Sequence, residues 1–121
     1  MREKWTDHFY KDETVCPCGC GKNDMSQEYM DWLETVRVEA GIPFFLNSAF
    51  RCPQHNSDTG GVEDSEHCHG TAVDVKVNGG LQRFVITKAA MKLGVFGLGV
   101  AKTFIHLDRG KVKPRPMVWS Y

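Results

Sequence analysis

Residues 72–77 and 103–108 alternate apolar and polar side chains, which is the pattern of β-strands that bury one face. The first strand places Asp74 on the face opposite its valines. Residues 44–51 and 97–100 are apolar runs beside turn residues, and we expect two further strands there. The open face of the strand at 103–108 carries Phe104, His106 and Asp108, and its core face carries Ile105 and Leu107.

Two other stretches have the spacing of amphipathic helices. The first spans residues 24–40, where Asp24 and Gln27 form a capping-box pattern at the start and Gly41 follows the end. The second helix spans residues 81–93. The apolar stripe of the first comprises Tyr29, Trp32, Leu33, Val36 and Ala40, and the expected buried face of the second comprises Phe84, Val85, Ala89 and Leu93.

The remaining segments lack a sustained period. We expect an irregular N-terminal arm over residues 1–23, ending in a cysteine-rich turn, and a long polar loop over residues 52–66. A loop of that length in a small domain is usually functional. The tail with Pro114 and Pro116 is expected to form an edge or surface segment. Together these elements predict a single α+β domain over residues 24–121, with an antiparallel sheet and flanking helices.

The composition argues against several classes of protein. Fifteen basic and fifteen acidic residues give a formal net charge of zero, so electrostatics gives no argument for nucleic acid or an anionic membrane as partner. No apolar run approaches the roughly 20 residues of a membrane-spanning helix. The N-terminus has no apolar region of a secretory signal, so we expect synthesis in the cytosol, and we expect a monomer.

The five cysteines are an odd number, which excludes complete pairing into disulfides within one chain. Cys16, Cys18 and Cys20 occupy alternate positions in a stretch that also holds proline and glycine. Two interpretations stay open. The three residues are thiolates of a second, structural metal site that needs a fourth donor, or they form a tight turn with small, partly buried thiols.

A histidine and a carboxylate lie seven positions apart around a turn glycine, at the start of a predicted strand: His67 and Asp74. Such a pair can converge on one metal ion, and His106 on another strand offers a third ligand. Neutral imidazole and carboxylate are natural ligands of zinc. Two histidines, one aspartate and a water would make an open catalytic zinc site rather than a closed structural one.

Five motifs occur in a characteristic order: Ser48-Ala49-Phe50-Arg51, His55-Asn56, Gly60-Gly61, the block SEHCHGTAVD at residues 65–74, and Phe104-Ile105-His106-Leu107-Asp108. From about residue 24 onward, the chain in this respect resembles the zinc D-Ala-D-Ala carboxypeptidase family. That family includes bacteriophage peptidoglycan endopeptidases and shares its fold with the Hedgehog signalling domain. The resemblance therefore implies that fold.

The resemblance also implies roles for individual residues. His67, Asp74 and His106 match the family's ligands of one zinc ion. Arg51 matches its arginine that holds a carboxyl or carbonyl group of the substrate, for which a planar guanidinium is suited. Ser65 matches its serine beside the substrate. The alternatives are a strand-end salt bridge for Arg51 and a loop-capping hydroxyl for Ser65.

The general base departs from the common family pattern. Many relatives have a carboxylate three residues before the last histidine, where this chain has Thr103. Threonine cannot serve as a base near neutral pH. We therefore predict that Asp108, two residues after His106 on the same strand face, is the catalytic base. The alternative role for Asp108 is a hydrogen-bond acceptor that orients a histidine.

These observations predict a zinc metallopeptidase that hydrolyses peptidoglycan stem peptides by a zinc-activated water. It is a carboxypeptidase or an endopeptidase, similar to an endolysin, and reaches the cell wall if it is released from the cell. The alternative is a catalytically silent zinc module that binds a peptide or a protein partner. A zinc finger that binds nucleic acid fits poorly, because the chain is neutral and lacks finger spacing.

Overall fold

The computed structural model describes residues 2–121, with helices and strands that alternate along most of the chain. Two short 3-10 turns precede key segments, Lys11–Glu13 in the arm and Glu66–His69 before the second strand. No helix in the described range is both long and apolar enough to cross a bilayer. The elements are α1 Gln27–Ala40, β1 Leu46–Ser48, α2 Pro53–Asp58, β2 Ala72–Lys76, α3 Gly80–Lys92, β3 Gly97–Val100, β4 Phe104–Asp108 and β5 Met117–Ser120.

The five strands form one sheet in the order β1-β2-β4-β3-β5. The α+β class is therefore confirmed, but the sheet is mixed rather than antiparallel, because β5 pairs with β3 in parallel. The reason is the path of the tail. The strand β4 ends with Asp108 beside Gly97, and residues 109–116 lead to Met117, which pairs with the same glycine. The strand β5 therefore runs in the direction of β3, at the edge expected for the tail.

Helix α1 begins three residues later than predicted. Its N-cap is Ser26, whose Oγ accepts a hydrogen bond from the backbone N–H of Tyr29 at 3.1 Å. Asp24 is not the cap, because residues 24–26 lie beside the turn at Gly70, with the N–H of Ser26 donating to the Gly70 carbonyl at 2.9 Å. The helix ends as expected at Gly41, in a left-handed conformation.

The buried face of α3 agrees with the prediction at Ala89 and differs from it at Phe84. Phe84 is 63% exposed, whereas Ile86, Ala89 and Ala90 are buried. Both helices α1 and α3 contribute to one core, so the residues of α3 that face α1 are the buried ones. Small alanine side chains at this contact allow the two helices to approach closely, and the bulky Phe84 lies on another face.

The segment around the predicted polar loop is more regular than the sequence suggested. Only residues Leu46–Ser48 of the predicted strand at 44–51 form β1, whose pairing with β2 shifts register between these two residues. The loop at 52–66 contains helix α2, which Cys52 caps and Pro53 begins. Proline suits a first helical position, because the N–H that it lacks has no partner there.

The core lies on one face of the sheet. It is formed by Val73 and Val75 of β2, by the predicted pair Ile105 and Leu107 of β4, and by the apolar faces of α1 and α3. Phe9 and Cys16 belong to the same cluster, so the N-terminal arm packs against the body of the domain. The opposite face of the central strands carries the polar residues and is free to form a site.

Candidate metal centre

The central strands bring two of the predicted ligands together. Asp74 of β2 and His106 of β4 are Cα partners, so their side chains project from the same face of the sheet. That face is opposite to the valines and leucines of the core, as the alternation predicted. Two adjacent rigid strands therefore fix the relative positions of a carboxylate and an imidazole.

The third predicted ligand lies on the 3-10 turn Glu66–His69. Ser65 caps this turn, and its Oγ accepts a hydrogen bond from the backbone N–H of His67 at 3.2 Å. Gly70 ends the turn in a left-handed conformation, and a Cβ atom there would lie 2.8 Å from Cα of Met25. Position 70 therefore requires glycine for both reasons, and the turn directs His67 toward β2.

The three side chains converge on one point. Oδ1 of Asp74 lies 3.2 Å from Nε2 of His67 and 3.0 Å from Nδ1 of His106. One ligand atom from each residue lies within 4.8 Å of the others, so the group could hold a metal ion. Two imidazole nitrogens and one carboxylate oxygen, all sheltered from solvent, are a donor set that fits zinc.

The far nitrogen of each imidazole is held by an acceptor. Nδ1 of His67 lies 2.8 Å from the carbonyl oxygen of Ala49, and Nε2 of His106 lies 2.7 Å from Oδ2 of Asp108. Because these oxygens accept hydrogen bonds, the far nitrogens carry protons. In the neutral rings, the remaining lone pairs therefore point toward Asp74, as metal ligation requires.

Contacts within the group shift the pKa values of two members. Burial alone would raise the pKa of Asp74, but hydrogen bonds with His106 and His67 outweigh it and lower that pKa well below its ordinary range. Burial would lower the pKa of His106, but its hydrogen bonds with Asp108 and Asp74 raise it instead. Asp74 is therefore ionised, and its carboxylate favours a cation at this centre.

Asp108 lies behind His106 and away from the open side of the site. Its side chain is completely buried, and Arg115 donates hydrogen bonds to both of its oxygens, at 3.0 Å and 2.8 Å. Burial opposes ionisation, but the hydrogen bonds with His106 and Arg115 keep the pKa of Asp108 below its ordinary value. This geometry favours the orienting role for Asp108, and its role as catalytic base stays a prediction.

A cavity of about 500 Å³ opens beside the three ligands. Arg51 and Ser65 both line it, and Nη2 of Arg51 donates a hydrogen bond to Oγ of Ser65 at 3.2 Å. Nε of Arg51 is buried without a partner among the residues that the structure describes. The guanidinium is therefore only partly satisfied by protein groups.

Several residues that line this site were not predicted, and most of them lie in the tail. Arg115, Trp119 and Tyr121 line the cavity, and the ring of Trp119 lies 5.2 Å from that of His106. A sequence signal for them does exist in β3, where glycine alternates with leucine and valine. Glycine within a strand often marks close approach by another group, here by the tail over Gly97 and Gly99.

Neither Thr103 nor Glu66 offers a free carboxylate for proton transfer. Thr103 is exposed and does not line the cavity. Glu66 lines it, but its carboxylate accepts hydrogen bonds from the N–H groups of Val112 and Lys113 and from the hydroxyl of Thr71. Glu66 therefore anchors the tail to the turn that carries His67.

Comparisons with known proteins assign the chain to a family. A search of curated proteins found no match. The sequence model described as Peptidase M15 matches residues 6–108. The matched range includes Arg51, Ser65 and the three converging ligands, whereas the tail that covers them follows it. The suspected relationship to zinc D-Ala-D-Ala carboxypeptidases is thus confirmed at the level of the family, and the chain belongs to the Peptidase M15 family.

Proposed function

We propose that this protein is a zinc-dependent peptidase that hydrolyses peptidoglycan stem peptides, either at a terminal or at an internal bond. The observation that carries the proposal is the convergence of His67, Asp74 and His106 beside a cavity that Arg51 lines. Membership of a peptidase family supports hydrolysis of a peptide bond.

The three converging side chains would hold one zinc ion and leave its side toward the cavity open to water and substrate. A zinc ion held there would supply activation of a water, whose pKa it lowers toward ~7, and polarisation of the scissile carbonyl. The imidazole N–H groups donate buried hydrogen bonds to the carbonyl of Ala49 and to Asp108, which keeps both rings in the orientation and tautomer that ligation needs. The protein thus supplies a preorganised site in which the ligands need not rearrange on binding.

Arg51 is the residue that best accounts for substrate binding. Its guanidinium lines the cavity beside His67, and its buried Nε has no partner among residues 2–121. A carboxylate or carbonyl oxygen of a peptide in the cavity would accept hydrogen bonds from the guanidinium, which protein groups satisfy only in part. Ser65 holds the guanidinium in place and its hydroxyl also caps the turn of His67, so one side chain couples both parts of the site.

The cavity also suits a small, acidic peptide. Basic groups of Arg51 and Lys113, together with Arg115 in its ion pair with Asp108, lie around a wall formed partly by Trp119 and Tyr121. Stem peptides of peptidoglycan combine free carboxylates with small apolar side chains, which matches such a lining.

We further propose that the protein acts as a monomer at the cell wall after release from the cell, without nucleic acid or membrane as partner.

A second candidate is a zinc module that binds a peptide without cleaving it. The observation in its favour is that the carboxylates of Asp108 and Glu66 are both occupied by other protein groups. In the described part of the chain, Asp74 is then the remaining carboxylate that lines the cavity, and it belongs to the metal centre.

Digestion of purified peptidoglycan, followed by mass spectrometry of the products, tests both candidates. The zinc-loaded protein should release fragments whose masses identify one type of cleaved bond, and His106→Ala should release none. Unchanged peptidoglycan, together with saturable binding of stem peptide to the zinc-loaded protein, would reject the peptidase and support the silent module.

A further inference from the structure

Four cysteines meet at the junction of the N-terminal arm and helix α2, away from the centre described above. Each offers a sulfur, and the four sulfurs lie within 4.8 Å of one another. All four thiols are free rather than paired in disulfides. Sγ of Cys18 lies 3.4 Å from Sγ of Cys16 and 3.7 Å from Sγ of Cys52. The residues of this cysteine cluster are Cys16, Cys18, Cys20 and Cys52.

The local sequence explains how three neighbouring cysteines can face one point. Gly19 and Gly21 have φ values of 90° and 79°, which other residues rarely adopt, so the chain curls tightly around its own thiols. The fourth thiol comes from a distant segment. The N–H of Phe50 donates to the carbonyl of Thr14 at 3.3 Å, which holds that segment against the arm.

Backbone N–H groups donate hydrogen bonds to three of the four sulfurs. The N–H of Cys52 donates to Sγ of Cys16, that of His55 to Sγ of Cys52, and that of Lys22 to Sγ of Cys20, each at 3.4 Å. Hydrogen bonds from N–H groups stabilise the thiolate, which is the form that ligates metals.

We propose that the cysteine cluster holds a second, structural zinc ion. A tetrahedral site with zinc–sulfur distances of about 2.3 Å has sulfur–sulfur distances of about 3.8 Å. The distances of 3.4 Å and 3.7 Å are close to that value. Four thiolates complete the coordination of zinc and leave no position for water, so the ion would be structural rather than catalytic.

The location of the cysteine cluster indicates which parts of the chain this ion would link. Two ligands, Cys18 and Cys20, are exposed in the arm, whereas Cys52 is buried and caps helix α2. Cys52 also follows Arg51 directly. The ion would therefore fasten the arm to the segment that positions the guanidinium in the cavity. This inference does not depend on the proposed peptidase activity.

Metal analysis of the protein, purified without chelator, tests the inference. The wild type should contain about two zinc ions per chain. Cys20→Ser, which changes an exposed ligand, should reduce the content to about one, as should His106→Ala at the other centre. Cys68→Ser is the matched control, since Cys68 lies outside the cluster, and it should retain both ions.

Cobalt substitution provides a second measurement, and its result in the wild type does not depend on any variant. Thiolate-to-cobalt charge-transfer absorption should appear in the wild type and in His106→Ala, and should be lost in Cys20→Ser. Absence of this absorption in the wild type would overturn the inference. So would a single zinc ion that survives Cys20→Ser, or an intact mass lower by two hydrogens for each disulfide in the cluster. None of these measurements involves peptide hydrolysis, so they are independent of the proposed function.

Discussion

Gly97 is the Cα partner of Asp108 across the β3–β4 pair, and a Cβ atom at position 97 would lie 2.6 Å from Oδ1 of Asp108. It would also overlap Nε of Arg115. The ion pair of Asp108 and Arg115 thus occupies the space that a side chain on β3 would fill. This glycine is required for space, and not for an unusual backbone conformation.

The first prediction is that Gly97→Ala disturbs the metal centre without touching a ligand. The added methyl group must displace Asp108 or Arg115, which removes the support of His106. Overpacking of this kind costs about 1–3 kcal/mol. We expect a lower free energy of unfolding in denaturant and weaker zinc binding in a competition titration.

The control for that substitution is Gly80→Ala, at the start of α3. A Cβ atom there would meet nothing within 4 Å, so stability and zinc affinity should stay near those of the wild type. Equal zinc affinity of Gly97→Ala and the wild type would show that the pair of Asp108 and Arg115 does not support His106.

The second prediction separates the two roles of Asp108. If it orients His106, Asp108→Asn should loosen zinc by about 10–100-fold, and excess zinc should restore much of the rate. If it is the catalytic base, the variant should keep zinc and lose about 10²–10⁴-fold in turnover. Its burial and its two protein partners lead us to expect the first result. Zinc affinity and single-turnover rate, measured on this variant, distinguish them.

The third prediction concerns Arg51. Arg51→Ala should leave zinc content intact and reduce kcat/KM on a stem peptide by the equivalent of about 2–5 kcal/mol, the cost of truncating a charged contact. Arg51→Lys is the matched variant, because it keeps the charge but loses the planar pair of donors. It should recover part of the loss. Wild-type kcat/KM for Arg51→Ala would assign this arginine a structural role.

The fourth prediction is the pH dependence of the metal-free protein. The pKa of His106 is higher in the folded protein than in the unfolded chain. The protonated histidine therefore stabilises the fold at pH values below its unfolded pKa, and this stabilisation is lost as the pH rises through its folded pKa. The pKa of Asp74 is lower in the folded protein than in the unfolded chain. The ionised carboxylate therefore stabilises the fold at pH values above its unfolded pKa, and this stabilisation is lost as the pH falls through its folded pKa. The metal-free fold should therefore be most stable between about pH 4 and 6.5.

Thermal unfolding of chelator-treated protein checks this dependence. The Tm should fall above about pH 6.5, and His106→Gln should weaken that fall. Zinc affinity should rise over the same range, because the metal displaces the proton of His106. A chelated wild type whose Tm is independent of pH in this range would show that His106 is not stabilised by its two carboxylates.

Strand alternation predicted the centre well, because it is a local property. It placed Asp74 and His106 on one face and Ile105 and Leu107 on the other, and the register confirms both. The helical spacing of apolar residues predicted the buried face of α3 less well. Phe84 fits an apolar stripe as well as Ile86 does, and contact with α1 decides which of the two is buried.

The parts that sequence did not predict depend on long-range contacts. The tail has no period that would place Arg115 behind Asp108, since that contact arises from the parallel pairing of β5 with β3. Similarly, the sequence near Cys16, Cys18 and Cys20 contains no fourth cysteine that could complete a metal site. Cys52 supplies it only after the arm has folded against the segment before α2.

The position of Trp119 gives the protein an optical reporter of its own metal centre. Its indole lies beside the ring of His106, with the ring centres 5.2 Å apart. Trp5 and Trp32 hydrogen bond elsewhere, to Thr14 and to the carbonyl of Leu93. Protonated imidazole and paramagnetic ions such as cobalt quench indole emission at such short range. The fluorescence of one side chain should therefore follow both the charge of His106 and the arrival of a metal ion, so that occupancy can be measured in solution without a label.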